Sequence, residues 1–498
     1  MAHVARNALV RTGGDLIGLS FSPACETLAE KTDTLSRRDG QAMAMTELEA
    51  IVAAVDDRVR PDTAERERLA RAVETLRTRV ERVVDERLPR AVADDVDVLQ
   101  VGSTARGTWL SGDRDIDLFV RFPTRLEREE LERYGLDVGR NVLPDGHEEY
   151  AEHPYVRGVF EGFDVDLVPC YDVDDAAETR SAVDRTPFHN AYLAERIDDR
   201  LARDVRVFKR FLKGVGAYGS NLRTRGFSGY LTELLVLAYD GVVPLVHAAA
   251  DWHPPVRFDP ESHGTRDHDD PLVMVDPTDP ARNVAAVCSA ANVARLQHYA
   301  RDLVADPREE LFFPGRVDAL TEAAVEEHLA RRETCPIAIR FDPPDLVEDQ
   351  LYPQLEKSLT GIGDDLDRRG FGLVRSALFA DERAVLLFEL TTRRLPAIER
   401  HEGPPVHVRS HAEGFVAAYE DEDVYGPFID GDRYVVERDR AWTDSRALLE
   451  SDAVFDVALG KHVESALRDN YDVLVGDEVA GLADEFGTEL AAYLSPEP

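Results

Sequence analysis

The chain is poor in lysine, cysteine and long apolar runs, and each shortage excludes something. Among 498 residues there are five lysines, Lys31, Lys209, Lys213, Lys357 and Lys461, so arginine supplies nearly all the positive charge. The four cysteines, Cys25, Cys170, Cys288 and Cys335, stand far apart. Their spacing fits neither a disulfide framework nor a metal site, and each reads as a small buried hydrophobe. No apolar run is long enough to span a bilayer. A cytoplasmic protein with no membrane partner is therefore expected. Length alone allows three or more ordinary domains.

Acid is abundant. The formal net charge is -38, the opposite of the basic surface that usually supplies affinity for nucleic acid. An Asp/Glu-rich, lysine-poor surface suits a halophilic protein, because molar salt screens self-repulsion. RNA binding then requires local clusters of arginine. One such stretch is Arg393, Arg394, Arg400, His401, His407, Arg409 and His411; its bland alternative is surface arginine paired with nearby acid.

The segment richest in chemistry is 96–120. Val96 to Val101 reads as a strand. Gly102-Ser103 breaks it, allowing close backbone approach and offering a hydroxyl. Arg106, one turn on, can fork onto phosphate oxygens. From Asp115 the chain alternates, so Asp115 and Asp117 share one strand face and Ile116, Leu118 and Val120 the other. A second alternating strand, Phe163 to Pro169, places Asp164 and Asp166 on one face. In so acidic a chain an isolated Asp-x-Asp is best read as a solvated strand edge. The combination points instead to carboxylates that clamp two metal ions for in-line phosphoryl transfer. Lys209 and Lys213, four apart on a predicted helix, share a face. Where lysine is this scarce, a retained one suggests a role for a compact ammonium, such as holding a triphosphate.

Further motifs narrow the reading. They are Arg185-Thr186-Pro187-Phe188-His189, Phe208-Lys209-Arg210-Phe211-Leu212-Lys213-Gly214, Tyr218-Gly219 and Arg225-Gly226-Phe227-Ser228-Gly229-Tyr230. Asp276 to Ala285, Glu399 to Val406 and Tyr425 to Gly431 complete the series. Together with Gly102-Ser103 and Asp115-Ile116-Asp117, they resemble the archaeal (class I) CCA-adding enzymes. These are tRNA nucleotidyltransferases of the polymerase-β-type superfamily. The resemblance runs from about residue 45 to the end. Family members often carry Glu where Asp115 stands, and either residue binds magnesium.

The resemblance implies an α+β multidomain fold. Its parts are a nucleotidyltransferase head with a mixed sheet over 45–184, a helical central domain over 185–305, a small α+β tRNA-binding domain over 306–440 and a helical tail over 441–498. Residues 1–44 match nothing in the family and read as a disordered extension or an over-long start ahead of Met43 and Met45. The implied reaction is template-independent, magnesium-dependent addition and repair of the tRNA 3′-CCA from CTP and ATP. Asp115, Asp117 and Asp166 would be catalytic and bind two Mg²⁺ ions. Ser103, Arg106, His189, Lys209 and Tyr218 would bind ATP or CTP. Taken singly, His189 reads as a packed helix-start residue, Tyr218 as a turn aromatic, and Thr186 as a cap that can also touch nucleotide. Arg282 resembles the family's base-edge arginine. A homodimer is implied. The competing readings are a poly(A) polymerase or oligoadenylate synthetase-like enzyme, and a catalytically silent RNA-binding protein.

Patterning adds local expectations. These are helix from Phe188 through Leu235 and from Asn283 to Leu303, and an exposed loop over Pro260 to Asp270. A strand-helix-strand-strand run is expected over 336–390, and helix after 440.

Overall fold

A computed structural model describes residues 46–150 and 152–498. The extension over 1–44 lies outside the described residues. The architecture is α+β and multidomain.

The head begins with helix α1 over 46–59, α2 (Thr63–Arg87) and the short α3 (Arg90–Ala93). A reciprocal capping box starts α2: the Asp62 carboxylate accepts from the Glu65 amide at 2.7 Å, and the Glu65 carboxylate accepts from the Asp62 amide at 2.9 Å. Strands β1 (Asp97–Val101), β2 (Asp115–Pro123), β3 (His147–Tyr150), β4 (Pro154–Phe160) and β5 (Phe163–Asp172) form one mixed sheet in the order β1-β2-β5-β4-β3. Helix α4 (Gly102–Arg106) follows β1, and α5 (Arg128–Val142) follows β2. The alternation of β2 sorts its residues as the sequence reading expects. Ile116, Leu118 and Val120 are buried in a core with Leu76 and Val80 of α2 and Leu131 and Val138 of α5. Burial of Ile116 or Leu118 stabilises by about 1.5–3 kcal/mol each. The opposite face carries Asp115, exposed, and Asp117, half-buried.

The central region holds α6 (Thr186–Ala194), α7 (Asp199–Gly214), α8 (Gly229–Ala238), α9 (Val242–Ala250) and α10 (Ala290–Ala305). The helix expected from Phe188 through Leu235 is thus three helices, because Asp198 and Ser228 each cap a new start. The helix expected from Asn283 begins later, at Ala290, capped by Ser289. Asn283 instead ends a small sheet of β6 (Val256–Phe258), β7 (Leu272–Asp276) and β8 (Asp279–Asn283). Its side-chain oxygen accepts from the amides of Met274 and Ala285, both at 2.9 Å, which holds the β7–β8 hairpin. Residues 260–270 form a mostly exposed loop. Helix α1 packs here rather than on the head sheet: Leu48, Val52, Val55 and Val59 join a core with Phe208, Phe211 and Leu235. Among the described residues no single helix is long and apolar enough to cross a membrane; the apolar pair α8 and α9 bends by 92° and lies in this core.

Beyond α11 (Glu322–Arg332) come β9 (Cys335–Phe341), α12 (Glu348–Arg368), β10 (Leu373–Ala380) and β11 (Ala384–Leu390), in the strand-helix-strand-strand order read from the sequence. A separate three-stranded sheet of β12 (Ile398–Pro405), β13 (Tyr425–Asp430) and β14 (Arg433–Asp439) carries α13 (Arg409–Ala418). The tail is helical in α14 (Ser445–Leu449), α15 (Lys461–Asp469) and α16 (Ala483–Leu494), but not throughout. Its strand β15 (Tyr471–Val475) pairs with β9 and completes the sheet β10-β11-β9-β15. That sheet is covered on both faces. Leu355 and Ile362 of α12 lie on one side, and Phe486 and Leu490 of α16 on the other. Every residue of β11 is buried in consequence.

Candidate active site

The pairing of β2 with β5 builds the acidic centre. The strands run parallel with Asp115 opposite Asp164 and Asp117 opposite Asp166. Adjacent strands lie about 4.8 Å apart, so Asp117 and Asp166 stand side by side and Asp115 projects from the same face. Burial, then the charges of Asp166 and Asp115, push the Asp117 carboxyl up to about 6. Burial also pushes Asp166 up to about 6, with Glu149, Asp115 and Asp164 adding to the effect and Arg157 opposing it. The Arg157 guanidinium stands 3.6 Å from Asp166, yet Oδ1 of Asp166 is buried without a hydrogen-bond partner.

Gly102 is required where β1 turns into α4. Its φ is +78°, and a Cβ there would lie 2.1 Å from Oδ2 of Asp117. Only glycine lets the turn close down on this carboxylate.

These residues fit a divalent cation: hard oxygen donors, under-neutralised and partly buried, are what such an ion prefers. As the side chains stand, no three His, Cys, Asp or Glu among the described residues form a ready metal group.

Beside this face lies a cavity of about 310 Å³ between α4 and helices α6, α7 and α8. Ser103, Arg106, His189, Lys209 and Tyr218 all line it, and so does Thr186. Each is held differently. Arg106 forks onto Glu233 at 3.1 and 2.7 Å and donates to Oδ1 of Asn190 at 2.6 Å, so three of its five N–H groups are engaged. Lys209 is buried and donates to Asp113 at 2.7 Å; Lys213, on the same helix face, reaches the other oxygen of Asp113 at 3.2 Å. Both ammonium groups lie about 5.5 Å from the Tyr218 ring. His189 stacks on Tyr230 with ring centroids 4.1 Å apart and bonds Asp276 at 2.9 Å. Arg282 does not line the cavity; it bonds Asp276 at 2.6 Å.

Sequence reasoning missed Asp113, Glu233 and Asp276, the buried or half-buried acids behind these cations. One signal was readable. Glu233 stands alone in the apolar helix Gly229-Tyr230-Leu231-Thr232-Glu233-Leu234-Leu235, and a charge in such a setting is buried only when paired.

The arginine-rich stretch after 390 meets acid at each of its four arginines. Arg393 and Arg394 lie 3.4 and 3.2 Å from Asp444, Arg400 lies 2.6 Å from Asp430, and Arg409 lies 2.8 Å from Glu413. His401 stacks on Phe415.

Three family models match in series: a nucleotidyltransferase domain over 78–189, the second domain of tRNA nucleotidyltransferase over 203–313, and the C-terminal domain of CCA-adding enzyme over 332–476. A CCA-adding enzyme of Halorubrum lacusprofundi is 58% identical over 471 residues, covering 91% of this chain and 100% of that protein. One of Haloarcula marismortui is 56% identical, covering 91% of this chain and 99% of that protein. A more distant relative, the CCA-adding enzyme of Methanosarcina acetivorans, is 41% identical over 86% of this chain and 95% of its own length.

Proposed function

The chain belongs to the CCA-adding enzymes, and from that premise we propose that Asp115, Asp117 and Asp166, with the cavity beside them, carry the addition and repair of the tRNA 3′-CCA from CTP and ATP. The observation that supports this site best is the parallel register of β2 and β5, which sets the three carboxylates on one face next to that cavity.

Asp115, Asp117 and Asp166 would hold two Mg²⁺ ions. When bound, these supply Lewis acidity to the attacking 3′-hydroxyl and to the departing pyrophosphate. This chain's own residues position the reactants. The Ser103 hydroxyl, the Lys209 ammonium and the N–H groups of Arg106 not engaged by Glu233 and Asn190 hold the triphosphate. Lys209 can exchange Asp113 for a phosphate oxygen without leaving its helix face. His189 and Tyr230 offer stacked ring surface, and Tyr218 closes the cavity near Gly229. Little covalent chemistry is asked of the protein, so orientation and charge dominate.

The region beyond 305 grips tRNA on this reading. Arginines already balanced by acid can exchange those acids for phosphates, and contacts to phosphate and sugar read shape rather than sequence. A homodimer acting in the cytoplasm completes the reading.

The test is nucleotide incorporation at molar KCl into tRNA lacking its CCA end, with CTP and ATP given separately and together, with and without Mg²⁺. Ordered, Mg²⁺-dependent addition of two C residues and one A is expected. Long homopolymer tails or indifference to CTP would overturn the reading in favour of a poly(A) polymerase-like enzyme. No incorporation at all would leave an RNA-binding protein. The charge of -38 also predicts halophilic stability, with the melting temperature rising steeply from dilute buffer to molar KCl. An unchanged melting temperature would count against it.

A further inference from the structure

Asp276 ends β7, at the turn into β8, and its side chain is fully buried. Five donors converge on its carboxylate. Nε2 of His189 lies at 2.9 Å, Arg282 at 2.6 Å and the Tyr230 hydroxyl at 3.3 Å, while the amide and hydroxyl of Thr278 both lie at 2.9 Å. His263 bonds the backbone carbonyl of Asp276 at 3.0 Å, tying the exposed 260–270 loop to the same turn. Burial alone would raise the carboxyl, but the bonds from His189, Thr278 and Arg282 outweigh it and hold it well below the ordinary carboxylate range. Two of the donors, His189 and Tyr230, line the nucleotide cavity and stack on each other.

An ionised carboxylate only accepts hydrogen bonds. Nε2 of His189 must therefore carry its hydrogen, which leaves Nδ1 as the ring nitrogen free to serve a ligand. The same carboxylate fixes the ring plane of His189, the hydroxyl end of Tyr230 and the guanidinium of Arg282. These three side chains come from α6, α8 and β8, so no local pattern orients them together. We infer that Asp276 is a positioning residue for nucleotide binding, acting through His189 and Tyr230 rather than touching the nucleotide itself. This rests on the reading of the cavity as the nucleotide site.

The experiment compares Asp276→Asn with wild type by KM for CTP and for ATP, kcat, and melting temperature. An amide preserves the volume and can still accept from Thr278. It also offers N–H groups, which turn against Arg282 and allow the reversed His189 tautomer. Both KM values are expected to rise about 10- to 100-fold, the scale of a lost hydrogen bond to a charged group. Turnover at saturating nucleotide should change less than about threefold, as when uniform binding is lost. Combining Asp276→Asn with His189→Ala should add little to either single effect, because both act through one group. Unchanged KM in a folded Asp276→Asn protein, loss confined to kcat, or additive effects in the double variant would each overturn the inference. If Asp276→Asn does not fold, Thr278→Ala decides. Removing one of the bonds that aim the carboxylate should raise KM about 3- to 10-fold, and no rise would overturn the inference. Lys209→Ala separates the two levels. If it leaves KM unchanged, the nucleotide reading of the cavity fails. If it raises KM while Asp276→Asn does not, only the role of Asp276 fails.

Discussion

Two groups of carboxylates lie within one cleft and are treated in opposite ways. On the sheet face, Asp115, Asp117 and Asp166 crowd together, and burial with the repulsion of neighbouring acids outweighs Arg106 and Arg157 and lifts Asp117 and Asp166 to about 6. Across the cleft each acid has cations of its own. Asp113 takes Lys209 and Lys213, Glu233 takes Arg106, and Asp276 takes Arg282, with the His189 ring hydrogen-bonded beside it. Burial works to raise Asp113 and Asp276 too, but their partners outweigh it and both are held below the ordinary value. Residue type therefore says little about role here. An acid left under-neutralised has room for a cation from outside, which fits the metal-binding role proposed for the sheet face, whereas the acids across the cleft are already bonded to the protein's own donors.

The largest expected effect breaks the sheet-face half of this comparison. Replacing Asp115, Asp117 or Asp166 by Ala should lower turnover about 10³-fold or more, since several kcal/mol of charge stabilisation depend on them and each 1.36 kcal/mol is tenfold. The melting temperature should not fall. Single-turnover incorporation measures the first quantity and thermal unfolding the second.

Next comes the opposite wall. Glu233→Ala strands Arg106, whose side chain is only 10% exposed, and losing one partner of a buried pair costs about 3–5 kcal/mol. A fall in melting temperature of roughly 6–20 °C is expected at about 2–4 °C per kcal/mol for domains of 150–250 residues. An Asp115→Ala-like profile, inactive but fully stable, would erase the distinction between the two walls.

The smallest effect has the opposite sign. Asp117 has a folded pKa of about 6 against an ordinary 3.8. The folded state thus binds the proton more tightly, so this group's contribution to stability is complete below 3.8 and is lost as pH rises through about 6. Without divalent cations, Asp117→Asn should raise the melting temperature at pH 7.5 by roughly 2–4 °C, with the gain vanishing at pH 4. Mg²⁺ should stabilise wild type more at pH 7.5 than at pH 5. Scanning calorimetry at the two pH values, with and without Mg²⁺, checks both.

Much of the catalytic face could be read from the chain because its rules are short-ranged. Alternation in Asp115 to Val120 sorts residues between faces, and glycine at 102 announces a turn where a side chain cannot go. Lysine scarcity sets Lys209 apart, since it is one of only five lysines in the chain. The helix expected from Asn283 was misplaced for an equally local reason: the Asp276 to Ala285 segment is held as a hairpin by the Asn283 side chain, a bond that periodicity does not reveal. The strand Tyr471–Val475 carries no local signal of its pairing, because its partner, β9, lies 130 or more residues earlier.

By itself, then, the sequence determined the two-faced strands, the turn at Gly102 and the family to which the chain belongs. All of these follow from residue order over a few positions or from motifs in series. Only the tertiary structure decided which acids are neutralised. Arg106 and Glu233 are 127 residues apart, and His189 and Asp276 are 87 apart. Charge partners at such separations are chosen by how whole helices and hairpins pack, not by the local pattern of either residue.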